Sequence, residues 1–177
     1  MKKTLAVIFC LAFGTSVVAA NGVTANAVTI TNPTRVQGGE VFRHQEAGVQ
    51  FELPKGWRAK PEGDVITVSS PDDGLQMVFW APDEDSFDAA VKDLDKELGK
   101  TIKNIKTTGK PIEDNYHGMP HFSESGTGEV EGTTIQWSVD VLSAKKVVII
   151  LSFAAPGVWD KYSEEGAKFI SSINKIE

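Results

Sequence analysis

Stretches in which apolar and polar side chains alternate mark the first strands of this chain. Residues 49–53 alternate strictly, which places three apolar side chains on one face of a predicted strand. The turn Pro54-Lys55-Gly56 follows, with proline expected at its second position and glycine at its fourth. Residues 64–70 and 75–80 are two further apolar-rich runs, joined by the hairpin signal Asp72-Asp73-Gly74. The pattern predicts antiparallel strands that are consecutive in the chain.

Two segments have the spacing of amphipathic helices. The first is predicted to begin at Asp85 or Ser86, either of which can cap it, and to end at Gly99. The second follows Pro156. Their apolar stripes, which we expect in the core, are Phe87, Val91, Leu94 and Leu98 in the first and Trp159, Tyr162, Gly166, Phe169 and Ile173 in the second.

The second half of the chain reads as a meander of strands. Residues 122–130 predict a strand that Gly126 and Gly128 weaken. Residues 135–141 alternate cleanly, so Gln136, Ser138 and Asp140 are expected to face solvent. Residues 147–154 form a continuous apolar run, which predicts a central strand covered on both faces. The fold class is therefore α+β, an antiparallel β-sheet flanked by helices in an α/β/α sandwich.

The N-terminus has the order of a secretory signal peptide. Lys2 and Lys3 precede an apolar stretch at residues 5–13, and the small residues Val18-Ala19-Ala20 suit a signal peptidase. Ala25-Asn26-Ala27 is a second possible cleavage site, and a retained N-terminal anchor is the alternative. We therefore divide the chain into a signal peptide at residues 1–20, a flexible leader at 21–40 and a single domain at 41–177.

The cysteine and charge content narrow the function classes. The only cysteine, Cys10, lies inside the signal after Phe9, which does not fit a lipoprotein signal, so the exported chain has no disulfide or thiolate. The signal carries two lysines and no acid, so its removal changes the net charge from −6 to −8. This charge disfavours nucleic acid and anionic lipid as partners. No later segment has the ~20 consecutive apolar residues of a membrane helix.

Two histidines, His117 and His121, are the candidates for a metal site. Four-residue spacing on a helix would place both on one face, but Gly118 and Pro120 between them disfavour a helix. A loop could still bring them together, with a third ligand among Glu113, Asp114 and Glu124. The alternative is two exposed turn histidines. His44, in the segment that enters the domain, has no visible partner.

Other chemistry is hard to find in the sequence. Asp83-Glu84-Asp85 and Asp72-Asp73 form the densest acidic patch, but without the glycine and closing glutamate of a calcium loop. Helix capping accounts for it better. Gly126-Thr127-Gly128 lacks the lysine of a phosphate loop, and no Gly-x-Ser-x-Gly elbow is present. We therefore expect no catalytic, cofactor-binding or metal-binding residues, and no cofactor.

Several segments in order resemble the PsbP-like family, named after the extrinsic oxygen-evolving-complex protein of photosystem II. They are the opening strand and turn at residues 48–57, the strand and turn at 64–72, His117-Gly118-Met119-Pro120 and the closing helix that ends at residues 169–173. The same fold occurs in a nuclear-import factor that binds the GTPase Ran and in the bacterial envelope protein DcrB. The resemblance implies a non-enzymatic α/β/α sandwich that works through surface contacts.

The sequence thus favours an exported, non-catalytic binding or assembly module with a protein partner. It would act in the periplasm or outside the cell, and its contact residues are expected at Asp83-Glu84-Asp85 and in the turn at residues 116–119. The alternatives are a metal-dependent hydrolase that uses His117 and His121, and a carrier of a small ligand.

The export hypothesis predicts the start of the mature protein. N-terminal sequencing of the protein recovered from outside the cytoplasm should begin at Asn21 or Val28, because signal peptidase cuts after small side chains. A mature chain that still begins at Met1 would contradict export by cleavage.

Overall fold

The structure, a computed structural model, describes residues 41–62, 65–82 and 86–176. The predicted signal peptide, the leader and the acidic stretch Asp83-Glu84-Asp85 lie outside these residues. Along the described chain the elements are β1 (Val41–His44), β2 (Val49–Glu52), β3 (Arg58–Glu62), β4 (Val65–Ser69), β5 (Gln76–Trp80), α1 (Phe87–Thr101), β6 (Lys103–Thr107), β7 (Ile112–Tyr116), β8 (Met119–Val130), β9 (Thr133–Ser143), β10 (Val147–Ala154), α2 (Pro156–Ser171) and β11 (Asn174–Lys175).

The large sheet is antiparallel and has β10 near its centre. Its strand order is β3-β4-β5-β10-β9-β8-β6, and β7 also pairs with β8. All eight residues of β10 are buried, which confirms the prediction from its continuous apolar run. β7 lies beside residues 119–123 of β8, whereas β6 lies beside residues 126–129, so these two short strands share one outer edge of the sheet.

The two faces of the large sheet are covered by different elements. α1 packs on one face, and its buried residues Ala90, Leu94 and Leu98 belong to the same apolar cluster as Trp137. α2 packs on the opposite face together with a three-stranded sheet of order β1-β2-β11. This arrangement confirms the α+β sandwich. The sequence did not predict the small sheet, because β2 and β11 are more than 120 residues apart and β11 has only two residues.

Neither α1 nor α2 is long and apolar enough to cross a membrane, and the remaining described residues contain no other helix that could do so.

The first turn and the end of α1 both differ from their predicted places. The Trp57 N–H donates to the Pro54 carbonyl over 3.0 Å and Gly56 has φ +84°, so proline holds the first turn position and glycine the third. Ser86 caps α1, but the helix continues past Gly99 to Thr101. Ile102, which is 2% exposed, packs beneath the helix at that point, and this packing outweighs the glycine penalty of about 1 kcal/mol.

The tryptophans are not equally buried. Trp57 and Trp137 are at most 1% exposed, and Trp80 is also buried. Trp159 is only half-buried at the start of α2, although it does pack against the core. The expectation that Trp159 is a core residue is therefore right only in part, because its ring contacts the core and remains half-exposed.

The glycines of β8 are sites of close approach, which corrects their interpretation as weak points. A Cβ on Gly126 would collide with the Lys106 backbone carbonyl and lie 2.8 Å from Cζ2 of Trp137. A Cβ on Gly128 would collide with Ile102. Glycine therefore allows β6 and the end of α1 to pack directly against β8.

A pair of glycine substitutions tests this packing. We expect Gly126→Ala to lower the free energy of unfolding by about 1–3 kcal/mol or more, because the added methyl group would clash with backbone atoms that cannot change rotamer. Gly157→Ala is the matched control, since its Cβ would have no atom within 4 Å, and it should be neutral or stabilising by up to about 1 kcal/mol. Urea denaturation measures both, and equal effects would contradict the assigned packing.

Candidate functional site

Three side chains on neighbouring strands meet on the α2 face of the large sheet. Asp114 of β7 lies directly opposite His121 of β8 in the strand register. His121 in turn lies opposite Leu142 of β9, so Asp140, two residues before Leu142, is its diagonal neighbour. Directly opposite and diagonal residues on one face of a sheet are within reach of long side chains. The backbone register therefore assembles an Asp–His–Asp cluster.

Both ring nitrogens of His121 are hydrogen-bonded to a carboxylate. Nδ1 lies 2.8 Å from Oδ1 of Asp114, and Nε2 lies 3.1 Å from Oδ1 of Asp140. The side chains of His121 and Asp140 are about one-tenth exposed, whereas that of Asp114 is half-exposed. One carboxylate is thus inside the protein and the other is at the surface.

The two carboxylates favour the charged form of the ring. Only the imidazolium has two N–H donors, and a carboxylate can only accept. The Asp140 hydrogen bond is the largest cause that raises the pKa of His121 above its ordinary value of 6.5; the Asp114 bond adds to it and burial opposes it. The folded-state pKa is raised, so this contribution to stability is complete below about 6.5 and is lost as pH rises through the folded pKa.

This arrangement limits what His121 can do chemically. A metal ligand or a general base must present a lone pair on a ring nitrogen, whereas the two carboxylates favour the form of His121 in which both nitrogens are donors. Among residues 41–62, 65–82 and 86–176, no group of three His, Cys, Asp or Glu side chains is placed to hold a metal ion. His121 is instead built to connect β7, β8 and β9.

The interpretation of both histidines as exposed turn residues is wrong for His121 and right in part for His117. His117 does lie in the β7–β8 turn, with φ +48°, and is exposed. Its Nδ1 donates to the Ile173 carbonyl at 2.8 Å, and its ring stacks on Tyr116 with centroids 4.3 Å apart. His121 is buried inside β8. The two histidine rings therefore make different contacts, one in the turn and one inside the sheet.

Of the three acids predicted as a third ligand, only Asp114 reaches a histidine. Glu113 lies opposite Phe122 and Glu124 opposite Val139, so both are on the α1 face of the sheet. Strand alternation separates them from His121.

Asp140 is the residue that the sequence did not reveal. Its place in an alternating strand predicted solvent exposure, yet it is 7% exposed. The α2 face is covered as well as the α1 face, so the polar positions of β9 are partly enclosed. Its run of buried neighbours, Val139, Val141 and Leu142, would have been the signal for a buried carboxylate.

The turn expected as a contact surface is largely occupied by the protein itself. Met119 is fully buried, Tyr116 is half-buried, and Lys175 donates to the Gly118 carbonyl at 2.5 Å.

Asp72, from the predicted acidic patch, also stabilises the fold. It accepts hydrogen bonds from Ser70 and Gly74 within its own hairpin and binds Lys161 of α2 at 2.8 Å, which holds the pKa of its carboxyl well below the usual range.

His44 and a small cavity lie at another part of the core. His44 is buried, and its Nδ1 accepts a hydrogen bond from the Ala47 N–H at 3.0 Å, so the expectation that it lacks a partner is wrong. The cavity beside it encloses about 10 Å³, space for one water molecule. It is lined by His44, Ala47, Val49, Phe79, Trp80, Ala81 and Val148.

The outer edge of β7 is the open surface next to the cluster. β7 pairs with β8, and the described chain places no strand on its other side. Ile112 is 56% exposed and is, with Val41, one of two large hydrophobic side chains exposed in the described residues. Glu113 and Asp114, both exposed, follow it directly.

Comparison with known proteins gives the fold and no close relative. No family model matches the sequence, and no curated protein matches it. Among solved structures, the cyanobacterial PsbP (CyanoP) of Synechocystis aligns over 85% of this chain and 98% of its own, with TM-score 0.53 and 11% identity. LpqN of Mycobacterium tuberculosis, which is involved in cell envelope biogenesis, aligns over 76% of this chain and 88% of its own, with TM-score 0.55 and 13% identity.

A third structure, the Pseudomonas aeruginosa protein PA94 of unknown function, aligns over 75% of this chain and 94% of its own, with TM-score 0.51 and 16% identity. At these identities the likeness concerns the backbone arrangement alone. That arrangement, an antiparallel sheet between α1 on one face and α2 on the other, is the one that the resemblance implied. This chain has the PsbP-like fold.

Proposed function

We propose that this chain is an exported, non-catalytic module that binds a protein partner at the open edge of β7. The observation that carries the proposal is an edge strand with an exposed isoleucine directly followed by two exposed acids. Unpaired edges are usually shielded, because their N–H and C=O groups can pair with another chain. An apolar side chain on such an edge gives a partner strand something to bury.

The other edges of the large sheet are less suited to strand addition. β3, at the opposite end, contains Pro61, which has no N–H to donate. β6 contains Lys103 and Lys106, which give that part of the edge a positive charge. β7 thus combines an open backbone with apolar and negative side chains.

The chemistry of β7 defines its partner as an extended segment that carries both apolar and basic side chains on the face towards Ile112 and Asp114, because these two residues lie on the same face of β7. Such a segment would add a strand beside β7 through main-chain hydrogen bonds, with its side chains giving specificity. A basic residue on that face would lie near Asp114, and one on the opposite face would lie near Glu113. Complementary charges accelerate association.

The metal-dependent hydrolase has less support. His121 gives both nitrogens to Asp114 and Asp140, and His117 binds the Ile173 carbonyl. The described cavity holds about one water molecule, which gives no support to a small-ligand carrier. Export is supported by the charged, apolar and small-residue order of residues 1–20, and the envelope role of LpqN agrees with it.

Two matched substitutions test the binding surface. We expect Ile112→Thr to lower the recovery of captured envelope proteins about tenfold, because the partner loses an apolar contact while threonine keeps the preference for a strand. Val41→Thr is the control, since Val41 is 57% exposed on another edge strand. Quantitative affinity capture from the envelope fraction measures both variants against the unchanged protein.

Two results would contradict this function. One is equal loss of capture in Ile112→Thr and Val41→Thr, which would show that β7 is not the contact. The other is turnover of an ester, phosphate or glycan substrate by the purified protein.

The proposal also predicts the metal content. Elemental analysis of the purified protein should find no stoichiometric zinc, because His121 has no lone pair to offer while it bridges two carboxylates. Bound zinc that is lost in His117→Ala would instead support the hydrolase.

A further inference from the structure

We propose that protonation of His121 decides whether the Asp114 carboxylate is held against the sheet or presented to a partner at β7. The effect of this switch on partner binding rests on the proposed function. The switch itself rests only on the geometry of Asp114, His121 and Asp140. The imidazolium bridges a buried carboxylate on β9 and a half-exposed carboxylate on β7.

Loss of one proton forces a choice between the two hydrogen bonds. A neutral imidazole keeps one N–H, so one of the two carboxylates must face a lone pair. A buried carboxylate without a donor costs far more than an exposed one, which water can solvate. Asp140 is buried and Asp114 is half-exposed. The remaining proton therefore stays on Nε2 with Asp140, and the Asp114 bond is released.

The surroundings of the ring leave few other groups that could interfere. The charged and titratable groups that the described structure places against His121 are Asp114 of β7, Asp140 of β9 and the Tyr116 ring, whose centroid lies 5.4 Å away. Across the strand lies Leu142, which is fully buried and carries no charge. The charged groups that shift the titration of His121 are therefore the two carboxylates.

The consequence at the surface is a gain of negative charge. While His121 is protonated, its positive charge offsets that of Asp114. After deprotonation Asp114 joins Glu113 as an unbalanced carboxylate on the open edge of β7. A basic segment should therefore bind more tightly as pH rises through the pKa of His121, and by reciprocity its binding should lower that pKa.

Nuclear magnetic resonance tests the switch without any partner. At pH 6 the His121 ring should show two protonated nitrogens, and its titration midpoint should lie above that of an exposed histidine. The side-chain ¹³Cγ signal of Asp114 should move with the same midpoint. In Asp114→Asn the midpoint should fall, while in Glu113→Gln, on the opposite face of β7, it should stay close to that of the unchanged protein. A His121 midpoint that is not raised, or that is the same in Asp114→Asn, overturns the switch.

A synthetic peptide of repeated Lys-Lys-Val-Val, which as a strand presents both lysine and valine on each face, tests the consequence. Its affinity should rise roughly two- to fivefold between pH 6 and 8.5, as expected for one exposed ion pair. Glu113→Gln should weaken binding but keep the rise, whereas Asp114→Asn should abolish the rise. An affinity that is independent of pH overturns the surface consequence. Absence of peptide binding at every pH contradicts the proposed partner chemistry, while the His121 titration still decides the switch.

Discussion

The need to cover β10 on both faces determines most of this structure. Its eight residues, six of them large and apolar, are buried, and burial of such side chains stabilises a fold by about 1.5–3 kcal/mol each. One layer cannot cover both faces of a strand. α1 therefore packs on one face, and α2 with the small sheet packs on the other. The neighbouring strands β5 and β9 pair with β10 along its length and extend both cores.

Coverage on the α2 face ends before the sheet does, and the polar cluster lies at this boundary. Towards β8 and β7 the apolar positions give way to His121, Asp114 and Asp140. Polar groups in a half-covered position must find partners within the protein. The cluster achieves this with one histidine and two carboxylates, and it ties the short edge strand β7 to the longer strands beside it. The cluster that satisfies these polar groups therefore places the titratable His121 next to the open edge of β7.

The proposed function places recognition at the edges of the large sheet. Both helices use their apolar faces in the core, so a partner would contact sheet edges and turns. The β7–β8 turn is itself engaged through His117 and Lys175, which leaves the backbone of β7 and the exposed Ile112 as the surface that another protein could use. The fold shared with CyanoP and LpqN is consistent with such a use and does not specify it.

The sequence by itself determined both helices, most of the longer strands and the fold class. Alternation in β9, the continuous apolar run of β10 and the stripes of both helices depend on local periodicity, which survives in any tertiary arrangement. The order of these segments was enough to indicate the PsbP-like fold. The sequence also indicated the turn at Pro54-Lys55-Gly56, but it did not give the correct position of glycine within that turn.

Only the tertiary structure decided which polar residues meet. His121 and Asp140 are 19 residues apart, and neither their spacing nor their local pattern indicates contact. Their meeting depends on the register of β8 with β9, which positions each residue relative to one on another strand. The same holds for Gly126, which looked like a weak point until the approach of Lys106 was visible, and for β11, whose two residues become a strand only because β2 lies beside them. Local sequence sets what each segment can form, and long-range packing sets which side chains it meets.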